Sequence, residues 1–322
     1  MQKKILVGID VGGTKTAVVL SREPPEVLVR AEFATRPAKG PQLALNQMKK
    51  SIHDLLSAQG LESADVLRLG VSCGGPLDRV HGIIQSPPNL PTWENVPLKS
   101  FLEEEFKVEC LVENDANAGA VAEHRFGAGQ GCQHLVFLTM GTGLGAGIIT
   151  DGRLYRGADD LAGEIGHVRL TRTGPVGHNK AGSAEGWASG GGIAQLAAQC
   201  VAEAQHKGKE SLLAEYARTG KPITAREVSA AARKGDAVAL EILRSTGERL
   251  GAVLAILVDI LNPERIVIGG LAVRLGDLLL EPARRVMQRE ALAQPASTCQ
   301  VVPAALGESI GDIAALSVAM GI

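Results

Sequence analysis

One local design occurs twice in this chain: an apolar strand, a glycine-rich turn, and a second apolar strand. It stands at residues 4–20, KILVGIDVGGTKTAVVL, and again at 134–149, HLVFLTMGTGLGAGII. Both copies resemble phosphate motifs that open onto a helix, and both fail that test. GIDVGGTKT has one residue too many before its lysine for a P-loop, and β-branched AVVL follows where a P-loop requires a helix. GTGLGA satisfies the loose dinucleotide fingerprint, yet IITDGRLYRG continues it as strand and turn, which excludes a Rossmann site. Each copy therefore reads as a β-hairpin. An ordinary hairpin needs no ligand, but Asp10 sits inside an apolar run, an unusual place for an unpaired charge. Two such hairpins, one opening each half of the 322 residues, predict an internal duplication with a phosphate-facing turn in each half.

The stretch 108–129, VECLVENDANAGAVAEHRFGAG, supplies the second constraint. Residues 108–112 read as a short buried strand, and from Ala116 the chain is Ala-rich and proline-free until Gly127 and Gly129 stop a helix. Glu113, Asn114 and Asp115 lie between them, at the carboxyl end of a strand, where open α/β sheets bind ligands. Asp115 has two readings there. It is the N-cap of the helix, or it is a general base held at the strand tip.

Between these landmarks the pattern alternates strand and helix. Strands are expected at 26–34, 67–76, 264–268 and near 299–302. Helices are expected at 42–59, 97–106, 183–206, 211–218, 224–233, 236–261, 275–292 and 308–320. The four prolines of SPPNLPTWENVPL exclude a helix or central strand over 86–98, leaving a rigid loop that presents Asn89 or a solvated surface loop. Residues 157–190 are the most polar and irregular part. There Glu164 and His167 stand three apart and Glu185 follows a glycine-rich loop. Two carboxylates beside an imidazole suit vicinal hydroxyls, although a lone histidine is more often structural.

Composition excludes several classes. A net charge of −2 with no dense Lys/Arg run argues against nucleic acid as the main partner. The N-terminal apolar run is too short for a signal peptide, and the run 250–261 is interrupted by Asp259, so no membrane span is expected. Five scattered cysteines, never spaced as a metal pair, read as buried reduced thiols and imply a cytoplasmic protein.

Taken together, these motifs resemble the ROK family (repressors, open reading frames and sugar kinases) within the actin/hexokinase superfamily. IDVGGTKT looks like its first phosphate motif, ENDANAGA its catalytic motif, MGTGLGAG its second phosphate motif, LAGEIGH its sugar-binding element and IGG at 268–270 its adenosine motif. The resemblance implies two ribonuclease-H-like (actin-like ATPase) α/β domains with an interdomain cleft. The first would be 1–114 joined by a C-terminal helix at 305–322, the second 115–304. It further implies an ATP-dependent hexose kinase, most simply a glucokinase acting at O6, and a homodimer. Asp115 would be the general base. Gly75, Asn89, Asn114, Asp115, Glu164, His167 and Glu185 would bind the sugar. Asp10, Gly12, Gly13, Thr14, Lys15, Gly141, Thr142, Gly143, Gly269 and Gly270 would bind ATP, with Asp10 holding Mg²⁺ through water.

The chain departs from the family at one place. Many members carry three cysteines that join the sugar-element histidine on a structural zinc; here Gly177, Asn179 and Ala184 stand at those positions, so no structural zinc is expected. The loop 172–184 is then expected to be held by packing near Trp187, or else to order only when sugar arrives. Kinases of fructose, N-acetylglucosamine or N-acetylmannosamine remain alternatives, as does a non-catalytic sugar-binding regulator. A repressor of the family carries a helix-turn-helix before the first phosphate motif, and the first strand expected here begins at residue 4.

Overall fold

The computed structural model describes residues 4–321. Residues 1–3, part of the segment weighed as a leader, and residue 322, the end of the expected C-terminal segment, lie outside the described residues. The chain divides into two compact units, Met1–Gln130 with Glu308–Ile322, and Gly131–Gly307.

In the first unit, β1 (Ile5–Val11) and β2 (Lys15–Ser21) form the expected hairpin, with Asp10 opposite Ala17. Then come β3 (Val29–Ala34), α1 (Pro41–Ala58) and β4 (Val66–Cys73). A small sheet of β5 (Leu77–Asp78), β6 (Ile83–Ile84) and β7 (Val96–Pro97) precedes α2 (Leu98–Phe106), β8 (Cys110–Asn114) and α3 (Asp115–Phe126). The main sheet runs β3-β2-β1-β4-β8. β2 pairs antiparallel on both sides, whereas β1–β4 and β4–β8 are parallel. β1 and β4 are nearly continuous apolar runs because both faces of the sheet are covered. On one face α1 buries Leu45, Met48, Ile52, Leu55 and Leu56 at helical spacing. On the other lies the last helix, Ile310–Ala319, so close that a Cβ on Gly70 would meet the Ala319 nitrogen at 2.2 Å.

The second unit repeats this plan. Its strands are β9 (Leu135–Met140), β10 (Leu144–Thr150) and β11 (Arg153–Tyr155), the short hairpin β12 (Val176–Gly177) and β13 (Lys180–Ala181), and later β14 (Arg265–Ile268) and β15 (Gln300–Pro303). The main sheet runs β11-β10-β9-β14-β15, with β9–β14 and β14–β15 parallel. Position by position this is the order and polarity of the first sheet, so the duplication read from the two hairpins extends to whole sheets. The helices are α4 (Ala184–Trp187), α5 (Gly190–His206), α6 (Ala214–Thr219), α7 (Ala225–Ala232), α8 (Ala237–Leu261), α9 (Leu271–Leu275), α10 (Asp277–Glu290) and α11 (Ala293–Thr298). α8 starts at an Asp236 cap and ends at Asn262, whose φ is +45°.

Several expectations are corrected. The boundary lies after Gln130 rather than after Asn114, because α3 belongs with the last helix, and Arg125 donates to the Gly321 carbonyl at 3.3 Å. Residues 305–307, expected with the C-terminal helix, belong to the second unit. The helix expected over 183–206 is two helices, since the Ser189 side chain caps α5 by accepting from the Gly192 N–H. The helix expected over 275–292 is interrupted at Gly276 (φ +55°) and followed by the unforeseen α11. The loop 86–98 is not a solvated surface loop throughout, because Leu90 and Trp93 are completely buried in the first core. No helix among the described residues is long and apolar enough to cross a membrane. All five cysteines are free thiols, four of them buried.

Candidate functional site

The first unit brings its candidate residues to the carboxyl ends of β1, β4 and β8. Asp10 is the penultimate residue of β1, and the turn after it is closed by Gly12 N–H donating to the Lys15 carbonyl at 3.0 Å. Thr35 holds that turn from the side, its hydroxyl donating to the Gly12 carbonyl at 2.7 Å and its N–H to the Thr14 carbonyl at 3.0 Å. Asn89 is exposed and packs its backbone on Gly13, where a Cβ would lie 2.4 Å from the Asn89 carbonyl oxygen. Its side-chain amide approaches Gly74, and the Asn114 amide approaches Gly75. Thus Gly13, Asn89, Asn114 and the Gly74–Gly75 corner form one neighbourhood. Lys15, expected on ATP, pairs with Glu32 at 2.9 Å on the exposed face.

The cap of α3 corrects the sequence reading. It is Asn114, whose side-chain oxygen accepts from the N–H groups of Ala116 and Asn117. Asp115 is instead the first helical residue, and it remains exposed. Its Oδ1 accepts from the Ala116 N–H at 2.8 Å. Beneath the pair, Glu113 is buried and accepts from the Asn117 side-chain amide at 3.1 Å.

The electrostatics of this unit centre on Asp10. Burial, then the carboxylates of Asp115 and Asp312, push it up from 3.8 to about 7, against the opposing pull of Lys15 and Arg30. Asp312 was not foreseen. It sits in the first turn of the last helix and accepts from Arg30 Nε at 2.8 Å, and Arg30 also pairs with Glu32 at 2.6 Å. Gly311 beside it has no room for a side chain, since a Cβ would touch the Asp10 carboxylate. Nothing local marks Asp312; only the return of the last helix to the first sheet brings it near Asp10. Cys73, at the end of β4, is fully buried, and its thiol is pushed up by burial and by Asp115 and Asp10, so it is inert.

The second unit assembles a different set around the β9–β10 turn. The Gly141 N–H donates to the Gly143 carbonyl at 3.0 Å. The first turn of α5 supports the loop from behind, Gly190 N–H donating to the Gly141 carbonyl at 2.8 Å and Gly191 N–H to the Thr142 carbonyl at 3.3 Å. The SGGG sequence at 189–192, an N-cap followed by three side-chain-free residues, was the missed signal for this contact. Glu185 in α4 reaches the same turn: its Oε2 accepts from the Leu144 N–H at 3.1 Å and lies 2.9 Å from His178 Nε2. His167 lies 3.8 Å from Glu164 and stacks on His178 with centroids 3.8 Å apart. Glu164, His167 and Glu185 are therefore one cluster, joined by His178, which was not among the expected site residues. Gly269 and Gly270 follow β14, and Gly270 takes φ +65° against the Met140 carbonyl, a conformation open to glycine.

The loop before Glu185 is closed by packing and hydrogen bonds. Trp187 Nε1 donates to Thr171 Oγ1 at 2.7 Å, and the indole lies against Gly174. Among the described residues no group of three His, Cys, Asp or Glu side chains is placed to hold a metal ion.

The sequence model of the ROK family matches residues 6–321. A glucokinase of Halalkalibacterium halodurans is 35% identical over 97% of this chain and 94% of its own length. A glucokinase of Thermotoga maritima is 33% identical, covering 99% and 98% respectively. The solved structure of a ROK family glucokinase from Streptomyces griseus in complex with glucose and AMPPNP superposes with a TM-score of 0.81 at 32% identity, covering 98% of this chain and 99% of that one.

Proposed function

The chain belongs to the ROK family, and from that premise we propose that it is an ATP-dependent hexose kinase transferring the γ-phosphoryl group to O6 of glucose. The observation that carries this reading is the division of labour at the start of α3. Asn114 is the helix cap, and Asp115 follows it as the first helical residue with its carboxylate exposed at the strand tip. In the proposed reaction Asp115 accepts the proton of the attacking sugar hydroxyl, an effect worth about 10²–10⁴-fold. Asn89, Asn114, Glu164, His167 and Glu185 accept or donate to the remaining hydroxyls, with Gly75 giving close backbone approach.

Phosphoryl transfer asks for positioning and charge neutralisation rather than covalent help. Gly12, Gly13, Thr14 and Lys15 of the first turn, and Gly141, Thr142 and Gly143 of the second, supply backbone, hydroxyl and ammonium donors for the ATP phosphates. Gly269 and Gly270 leave bare backbone for the adenosine. Mg²⁺ fits the first unit: Asp10 is a hard oxygen donor whose carboxyl is raised to about 7 partly by Asp115 and Asp312, a field that favours a cation. When bound through water it would neutralise phosphate charge. The free thiols are compatible with a cytoplasmic setting, and the proposed assembly is a homodimer, which sedimentation would test.

The decisive experiment is ADP release with Mg²⁺–ATP across glucose, fructose, N-acetylglucosamine and N-acetylmannosamine. Glucose is expected to give the highest kcat/KM. Release with another hexose alone would move the substrate, and none with any sugar would favour a non-catalytic sugar-binding protein.

A further inference from the structure

His178 has no role in the reading above, yet it touches two of the residues assigned to the sugar. It occupies the tip of the β12–β13 hairpin, where Gly177 pairs with Lys180. His178 and Asn179 both have positive φ, +49° and +56°, as the two-residue turn of a twisted hairpin requires. That turn aims the imidazole back at α4. His178 Nε2 lies 2.9 Å from Glu185 Oε2. The same oxygen accepts from the Leu144 N–H at 3.1 Å. The Leu144 N–H and the His178 ring therefore both meet Oε2 and hold the carboxylate at that oxygen. The other partner is His167, whose ring lies under His178 at 3.8 Å with planes 23° apart.

The hairpin that delivers His178 is itself firmly tied. Ser183 Oγ donates to the Gly177 carbonyl at 3.2 Å and accepts from the Gly186 N–H at 3.1 Å. The Gln195 side chain accepts from the Val176 N–H and donates to its carbonyl, both at 2.8 Å. Gly177 touches α4 so closely that a Cβ would stand 2.6 Å from the Gly186 nitrogen. No cysteine lies between Cys132 and Cys200, so this closure uses no thiol.

We propose that His178 is a positioning residue for sugar recognition, holding Glu185 by the close Nε2–Oε2 contact and His167 by ring stacking. The inference rests on the assignment of Glu185 and His167 to the sugar. Preorganisation of this kind shows as sugar affinity rather than as general activity.

The test is steady-state kinetics of His178→Asn and His178→Phe, with hydrogen exchange at Leu144 as an independent readout. Asn tolerates the left-handed turn while removing both the ring and the reach to Glu185. Phe keeps a ring for His167 but no donor. His178→Asn should raise the glucose KM by about tenfold and leave the ATP KM within about twofold, and His178→Phe should recover part of the loss. Leu144 should exchange faster in both variants without sugar. A glucose KM unchanged in His178→Asn, or equal rises in both KM values with a fall in melting temperature, would overturn the proposal. A wild type inactive on every sugar would sink the kinase reading instead. Leu144 exchange would then still decide the positioning claim, with unchanged protection contradicting it.

Discussion

The two glycine hairpins share a topology and differ in what stands around their tips. At the first, neutral groups hold the backbone, Thr35 on Gly12 and Asn89 against Gly13, and three acids, Asp10, Asp115 and Asp312, gather beside Lys15 and Arg30. At the second, the first turn of α5 and the Glu185 carboxylate hold the backbone, and two imidazoles stack beside that carboxylate. A duplicated sheet decides where a bare turn is exposed, and the segments added after each hairpin decide its chemistry. On the proposed reading the first unit thereby acquires a base and a cation-favouring field, the second a set of oriented hydroxyl partners.

Removing the acids should separate the halves most sharply. Asp115→Asn keeps a hydrogen-bonding side chain but cannot take a proton, so kcat is expected to fall by about 10²–10⁴-fold in a coupled ADP assay. Near-normal turnover would remove Asp115 as the base. Asp10 gives the next largest effect, in stability. Its folded value of about 7 against an ordinary 3.8 means that the folded chain binds more protons between those limits. Stability therefore falls as pH rises through that window, by up to about 4 kcal/mol in all. In protein free of metal and nucleotide, Asp10→Asn should unfold at higher denaturant than wild type above about pH 8, and the two should converge near pH 4. Equal midpoints at both pH values would show that Asp10 is not raised.

Smaller effects belong to the second hairpin. A Cβ on Gly143 would stand 2.5 Å from Glu185 Oε2, so Gly143→Ala must displace the carboxylate. The expected result is a glucose KM raised roughly tenfold, comparable to the ~1 kcal/mol of a modest overpacking strain. The same change with only a nucleotide effect would detach Glu185 from the sugar. The smallest expected effect is none: with Gly177, Asn179 and Ala184 in the loop, a zinc-selective chelator should leave Mg²⁺-supported activity unchanged. About one zinc per chain in elemental analysis would contradict this.

What the sequence made legible was whatever is written locally. The hairpins, the strand tip before α3 and the glycine turns announce themselves through periodicity and through β-branched residues where a helix would be needed. The helix cap is Asn114, which excludes the cap reading of Asp115; both residue types are good caps, and only backbone geometry chooses between them. Asp312 was invisible, being brought to Asp10 by a helix that returns from the far end of the chain, where it meets Arg30 of β3. His178 was visible only as a residue of a polar loop. Its contacts depend on a turn with two positive φ values, a feature that asparagine hints at and histidine does not.

The division of labour between the two units is tested most directly by titrating glucose calorimetrically into Asp115→Asn and Glu185→Ala side by side. The expected result is that Asp115→Asn binds glucose within about threefold of wild type, while Glu185→Ala weakens it by about tenfold or more. Loss of glucose binding in Asp115→Asn with wild-type affinity in Glu185→Ala would contradict the account.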